Sequence, residues 1–300
     1  MKPSTRNPTA AEAIAVKGWL GAHRFLILRR ASQAFFLLLF LLGPWFGIWW
    51  VSGNLAGSRT LDVLPLTDPL VLLQGILAGH WPAATALIGA GIVLAVYALI
   101  GGRVYCSWVC PINPVTDAAH WLHVRLGLPK GWQPKRATRL WLLGAALAAS
   151  AATGVIAWEL VNPITMLHRG LVFGIGFAWA LVVLVFLFDL LIARRGWCGH
   201  LCPVGAFYGL IGSKSLLRVS AARRAACDDC MDCYAVCPEN HVISPALKGK
   251  DGDTPLILSP DCTNCGRCID VCAVDVFRFT HRLDARIIPA ASPTRSDHAA

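Results

Sequence analysis

Eight of the chain's twelve cysteines fall within 46 residues, in two runs of identical spacing: Cys227-x2-Cys230-x2-Cys233-x3-Cys237 and Cys262-x2-Cys265-x2-Cys268-x3-Cys272. The spacing is that of the bacterial two-cluster ferredoxins, in which three thiolates of a run grip one cubane and the fourth crosses to the other. It assigns Cys227, Cys230, Cys233 and Cys272 to one [4Fe-4S] cluster, and Cys262, Cys265, Cys268 and Cys237 to the second. Two-residue gaps let the backbone wrap a cluster with N–H groups aimed at its sulfurs. Pro238 stops the turn after the first run; Ala273 stands at that place in the second, which removes the stop but no ligand. A zinc site is the competing reading, but a fourth cysteine in each run is superfluous for tetrahedral zinc. A secreted disulfide framework would not repeat ligand spacing in this way.

The rest of the chain constrains itself through hydropathy. Hydrophobic residues make up 56% and charged residues 15%, where soluble domains carry roughly a quarter charged. Four apolar stretches, 31–51, 83–100, 140–158 and 171–193, approach the roughly twenty residues that cross a bilayer as helix. Gly43-Pro44 predicts a kink in the first, and Asp189 near the end of the fourth is expected to snorkel or to pair with Arg194 or Arg195. No secretory signal is expected before the first stretch.

The net charge of +10 is unevenly placed. Basic residues concentrate before the first stretch (Lys2, Arg6, Lys17, Arg24, Arg29, Arg30), between the second and third (Arg103, Arg125, Lys130, Lys135, Arg136, Arg139) and after the fourth (Arg194, Arg195, Lys214, Arg218, Arg223, Arg224). The positive-inside rule then places both termini and the ferredoxin domain in the cytoplasm, in a multi-pass protein of the bacterial inner membrane, and argues against nucleic acid as partner. The connection 52–82 is expected to be interfacial or re-entrant, because its apolar part is interrupted by Asp62, Pro65, Asp68 and Pro69.

Each half of this region ends in a CxxxCP motif, Cys106-x3-Cys110-Pro111 and Cys198-x3-Cys202-Pro203. The fold expected is an α-helical membrane protein with four transmembrane helices in two parallel repeats, plus a C-terminal bacterial-type 2[4Fe-4S] ferredoxin domain. Its divisions are a cytoplasmic segment 1–30, a membrane domain 31–203, a linker 204–226, the ferredoxin domain 227–280 and a polar tail 281–300. Both CxxxCP pairs are expected at the cytoplasmic surface. Cysteines four apart share a helix face, so Cys106, Cys110, Cys198 and Cys202 are possible redox or metal ligands of a further centre, or buried small residues. Asp68, His80, Glu159, Asn162, His168 and Arg169 toward one face, and His120, His123 and His200 toward the other, are candidates for proton handling at a quinol site or plain interfacial anchors. No CxxCH haem motif occurs.

These features together resemble the NapH family, the ferredoxin-type membrane subunits of periplasmic nitrate reductase systems. The resemblance covers nearly the whole chain, including Gly43-Pro44-Trp45-Phe46-Gly47, the segment from Pro65 to Leu70, Trp197-Cys198-Gly199-His200 and Cys230-Met231-Asp232-Cys233. Proteins of methylamine utilisation and of nitrous oxide reductase regulation share the architecture in part. The resemblance implies a quinol dehydrogenase component, an electron-transfer subunit rather than a complete enzyme. Its donor would be membrane quinol, its partner a periplasmic NapG-type iron–sulfur protein, and its indirect acceptor the c-type cytochrome of the nitrate reductase system. The alternative is a membrane iron–sulfur assembly or redox-regulatory protein serving a respiratory metalloenzyme. With cytoplasmic clusters and a periplasmic acceptor, the path of electrons across the bilayer is left open.

Overall fold

The computed structural model describes residues 10–129, 131–174, 176–249 and 254–284. Lys2, Arg6 and Lys130, and all but the first four residues of the expected tail 281–300, lie outside the described residues. The chain divides into two units: the first is built from 1–25, 216–262 and 266–300, the second from 26–215 with 263–265.

Helix α1 (Ala11–Phe46) is, among the described residues, the one helix long and apolar enough to cross a bilayer on those criteria. It is interrupted at Gly18 (φ +72°), and Pro44 lies inside it near its C-terminal end. Its end is a left-handed glycine cap: Gly47, at φ +72°, donates to Gly43 O (2.9 Å), and Ile48 donates to Leu42 O (3.3 Å). Strands β1 (Val51–Gly53), β2 (Gly57–Thr60) and β3 (Leu64–Thr67) then form an antiparallel meander, followed by α2 (Pro69–Leu77) and α3 (Ala84–Ile100).

The connection before α3 folds back along that helix. A Cβ on Gly89 would lie 2.8 Å from Pro65 O, and Gly89 sits about 8 Å along α3 at 1.5 Å per residue. Short α4 (Val104–Trp108) carries the first CxxxCP cysteine, and α5 (Ile112–Arg125) follows the proline. The expected third span ends early, because α6 (Thr138–Thr153) is stopped by Gly154 in the left-handed region (φ +70°). The expected fourth is divided: α7 (Pro163–Phe173) ends at left-handed Gly174, and α8 (Gly176–Leu187) runs on into a π-type turn, Phe188–Ile192. Hydropathy averages over such glycines, whereas the backbone ends a helix at each.

Asp189 neither snorkels nor pairs with Arg194 or Arg195. It is fully buried, and its Oδ1 accepts from the backbone N–H of Trp197 at 2.8 Å, holding the turn that presents Cys198. Arg195 instead approaches Asp117 of α5 at 3.6 Å, which also receives Arg29 at 3.0 Å and Arg30. Burial pushes the Asp117 carboxyl up, but the guanidiniums of Arg195, Arg29 and Arg30 outweigh it and hold the group below the usual range.

Residues 204–226 are no linker: α9 (Pro203–Ile211) belongs to the second unit and β4 (Leu217–Ser220) to the first. In the first unit β4 pairs antiparallel with β5 (Arg278–His281), next to α10 (Asp232–Val236), α11 (Ile243–Lys248) and α12 (Arg267–Asp270). The N-terminal segment, expected as a separate stretch 1–30, is part of this unit up to Phe25. Ala10 N donates to Asp232 Oδ2 at 2.8 Å, Phe25 N to Asp270 Oδ1 at 3.0 Å, and Lys17 pairs with Asp275 at 2.5 Å.

Two measurements check this packing. A Cβ on Gly102 would stand 1.5 Å from Tyr208 O, so Gly102→Ala should cost at least the upper end of the roughly 1–3 kcal/mol typical of overpacking. Gly144→Ala, where nothing lies within 4 Å, should be neutral or slightly stabilising in thermal unfolding of detergent-solubilised protein. Because the Asp117 pKa is depressed, its contribution is present above the unfolded carboxyl value near about 4 and is lost as pH falls. Asp117→Asn should therefore lower stability at neutral pH and remove part of the acid-induced loss.

Candidate iron–sulfur sites

The two cysteine runs of the ferredoxin segment adopt the same backbone. In the first, Asp229 (φ +59°) and Met231 (φ +67°) are left-handed; in the second, Asn264 (φ +47°) and Gly266 (φ +73°) are, at the same offsets from the first cysteine. Alternating left- and right-handed residues turn successive N–H groups toward one side, a cradle for an anionic group. Cys227, Cys230, Cys233 and Cys272, the set read from the crossing rule, line one cavity of about 340 Å³ with Val271 and Phe277. Val276 N donates to Cys272 Sγ at 3.3 Å.

Burial pushes the Cys230 thiol up to about 11 and that of Cys233 up to about 12, the latter also through Cys230, Cys227 and Cys272 beside it. Such thiols become thiolates only when a cation takes the place of their protons. Four converging sulfurs, a cradle of N–H groups and an apolar wall therefore fit a cubane cluster.

For the second set, Cys237, Cys262 and Cys268 pack against the same apolar core, and Cys265 is buried. Sequence reasoning missed the tie beside these ligands. His241 Nε2 lies 2.9 Å from Asp261 Oδ2, and its Nδ1 is 3.7 Å from buried Glu239, so one imidazole joins the segments next to Cys237 and Cys262. The three residues form a plausible ion-binding trio by spacing, but each imidazole nitrogen already faces a carboxylate, the geometry of a structural bridge.

The CxxxCP cysteines are brought together. Cys106, Cys110, Cys198 and Cys202 all line one cavity of about 390 Å³ in the second unit, whose other walls include Trp158, Pro163 and Ile164. Cys110 is buried and Cys106, Cys198 and Cys202 are half-buried, with residues before and within α7 forming part of the wall. Each CxxxCP proline opens a helix, Pro111 before α5 and Pro203 at the first turn of α9, which suits a residue with fixed φ and no N–H. The backbone N–H groups of Ile112 and Asn113 face Cys110, and those of Val204 and Gly205 face Cys202, so two helix N-termini point at the sulfurs. Helix α7 starts at the same cavity with the same device, Asn162 accepting from Ile164 N at 3.1 Å ahead of Pro163.

Two buried guanidiniums complete the surroundings. Arg103 Nη2 donates to Cys198 O at 3.1 Å and Arg139 Nη1 to Gly199 O at 3.4 Å, so each reaches from the first half or from α6 to the second motif. Positive charge, helix N-termini and four sulfurs about one apolar space suit a centre with net negative charge.

None of His80, His120, His123, His168, His200 and Arg169 lines either cysteine cavity. His80 Nε2 lies 3.0 Å from Gly154 O, at the end of α6, and His123 Nδ1 2.7 Å from Leu190 O, in the π-type turn after α8. Glu159 Oε1 accepts from Asn162 Nδ2 at 2.7 Å. Asp68 is different: it caps α2, accepting from Leu70 N at 2.9 Å, and also receives Tyr208 OH at 3.4 Å.

Comparison with known proteins agrees with both sites. A family model described as a 4Fe-4S binding domain matches residues 82–129 and 175–220, which contain the CxxxCP motifs, and one described as a 4Fe-4S dicluster domain matches 226–276. The methylamine utilization ferredoxin-type protein MauN of Methylorubrum extorquens is 54% identical, covering 91% of this chain and 94% of its own. The ferredoxin-type proteins NapH of Haemophilus influenzae and Escherichia coli are 51% and 50% identical, covering 89% and 90% of this chain and 93% and 94% of theirs. No solved structure matches. Spanning most of this chain and of its relatives at half identity, these matches place the protein in the NapH and MauN family of ferredoxin-type iron–sulfur electron-transfer proteins.

Proposed function

We propose that this protein is the membrane component of a quinol dehydrogenase. It would take electrons from membrane quinol and pass them, with a periplasmic NapG-type iron–sulfur partner, toward the c-type cytochrome of a nitrate reductase system. The observation that carries the reading is the single cavity lined by all four CxxxCP cysteines and closed by residues around α7. It supports a third centre inside the membrane domain, in addition to the two clusters expected from the sequence.

When bound, the clusters would supply one-electron chemistry that no side chain here offers. The chain's own part is to hold and tune them. Cys227, Cys230, Cys233 and Cys272 would ligate one cluster, Cys262, Cys265, Cys268 and Cys237 another, and Cys106, Cys110, Cys198 and Cys202 the third. Arg103 and Arg139, with the N-termini of α5 and α9, offset the thiolate charge where the dielectric is low. Trp158 and Ile164 give that cavity an apolar wall, which lowers the local dielectric.

A second reading of the acceptor is favoured by the 54% identity to a methylamine utilization protein. It changes the partner and leaves the membrane step as it is. Reconstitution with NapG-type partner and nitrate reductase separates the two: quinol-dependent nitrate reduction is expected on the first, and none on the second. A purely assembly or regulatory role predicts clusters that quinol does not reduce.

Anaerobically purified protein should be brown and hold about twelve irons with matching acid-labile sulfide, four for each cubane. The Cys106→Ser, Cys202→Ser double variant should retain about eight. Stoichiometric zinc without sulfide would reject the reading, and about eight irons in both proteins would reject the third centre.

We further propose four spans with cytoplasmic termini, supported by the basic clusters at Arg29 and Arg30, Lys135 and Arg136, and Arg194 and Arg195. An alkaline phosphatase fusion after Asp275 should be inactive. High activity would reject this orientation.

A further inference from the structure

Three of the chain's four tyrosines meet beside the CxxxCP cavity. Tyr105 lines it, stacks on Tyr208 with ring centroids 5.0 Å apart, and meets Tyr97 edge-on at 5.9 Å; Tyr97 meets Tyr208 at 5.1 Å. Tyr208 is 1% exposed, and its hydroxyl donates to Asp68. One carboxylate therefore stands two side chains behind the cavity wall, connected to it by a hydroxyl and a stacked ring.

Helix capping alone does not account for an acid at this place. The chain carries an internal control: Asn162 occupies the matching position in the second half, followed by Pro163 as Asp68 is by Pro69, and caps α7 with the same bond two residues on. Asn and Asp cap about equally well, whereas a carboxylate among apolar helices carries a solvation cost that an amide does not. What distinguishes Asp68 from Asn162 is the capacity to take up a proton.

We propose that Asp68 is the proton-accepting group coupled to reduction of the four-cysteine centre, a step that rests on the third centre proposed above. An electron placed in a poorly screened cavity is costly unless positive charge accompanies it. Quinol gives up two electrons and two protons. For each electron that enters, the Asp68 carboxylate binds one proton, and it releases that proton when the electron leaves, so two such cycles account for one quinol. Tyr208 positions the carboxylate toward the cavity. The other groups facing Asp68 do not supply this proton at neutral pH. Tyr97, Tyr105 and Tyr208 enter as neutral phenols, Glu159 bonds Asn162 and adds like charge, and Arg139, the charged residue of α6, donates to Gly199 O.

The test is a redox titration of the intact protein at several pH values between 6 and 8, following the signal lost in the Cys106→Ser, Cys202→Ser variant. The midpoint should fall by about 59 mV per pH unit in the wild type, the equivalent of a tenfold change for a one-electron couple. Asp68→Asn, which keeps the cap as Asn162 does, should bind the same iron but show a flat midpoint. Redox-difference infrared spectra should show a protonated carboxyl stretch on reduction in the wild type and none in Asp68→Asn. A wild-type midpoint independent of pH, or an unchanged slope in Asp68→Asn with full iron, overturns the proposal. If the wild type shows no third signal at all, the reading beneath it falls as well, and the iron content of about eight identifies that outcome.

Discussion

Four sulfurs in one apolar cavity pose an electrostatic problem on which much of the second unit depends. A thiolate has no reason to form among Trp158, Ile164 and Tyr105 unless something nearby offsets its charge. The structure gathers the available compensation: the N-termini of α5 and α9 behind Cys110 and Cys202, and the guanidiniums of Arg103 and Arg139 beside the second motif. The residue-proline steps Asp68-Pro69, Cys110-Pro111, Asn162-Pro163 and Cys202-Pro203 open four short helices by one device, twice in each half.

The same need for compensation operates differently in the ferredoxin unit. There the cradle is backbone, with left-handed Asp229 and Met231 in the first run. The N-terminal segment adds to this unit through Lys17, Phe25 and Ala10, long-range contacts that tie the two ends of the sequence together. Exposed ion pairs contribute little. The bonds from Ala10 and Phe25, which satisfy carboxylates and buried backbone, matter more.

Backbone contact between the α3 end and α9 is a further constraint. Gly102 and Gly212 allow it, since a Cβ on either would meet the other segment's main chain. This approach sets Tyr105 on Tyr208, and so connects the first repeat's cysteine helix to the carboxylate of Asp68 through the second repeat's helix. The two halves are interleaved through their sites rather than merely adjacent.

The sequence by itself determined the doubled cysteine spacing, the two CxxxCP motifs and the apolar character of the central region, because cysteine spacing and hydropathy are local properties. Cys227, Cys230, Cys233 and Cys272 were legible as one set, and the structure lines one cavity with them. Helix ends were less legible: the stops at Gly154 and Gly174 depend on backbone conformation that hydropathy averages away. Only the tertiary structure decided that Cys106, Cys110, Cys198 and Cys202 share one cavity, that Asp189 turns inward to Trp197, and that Asp68 meets Tyr208, 140 residues on. Those contacts join residues far apart in the chain, and they follow from how helices open and pack, which no local pattern encodes.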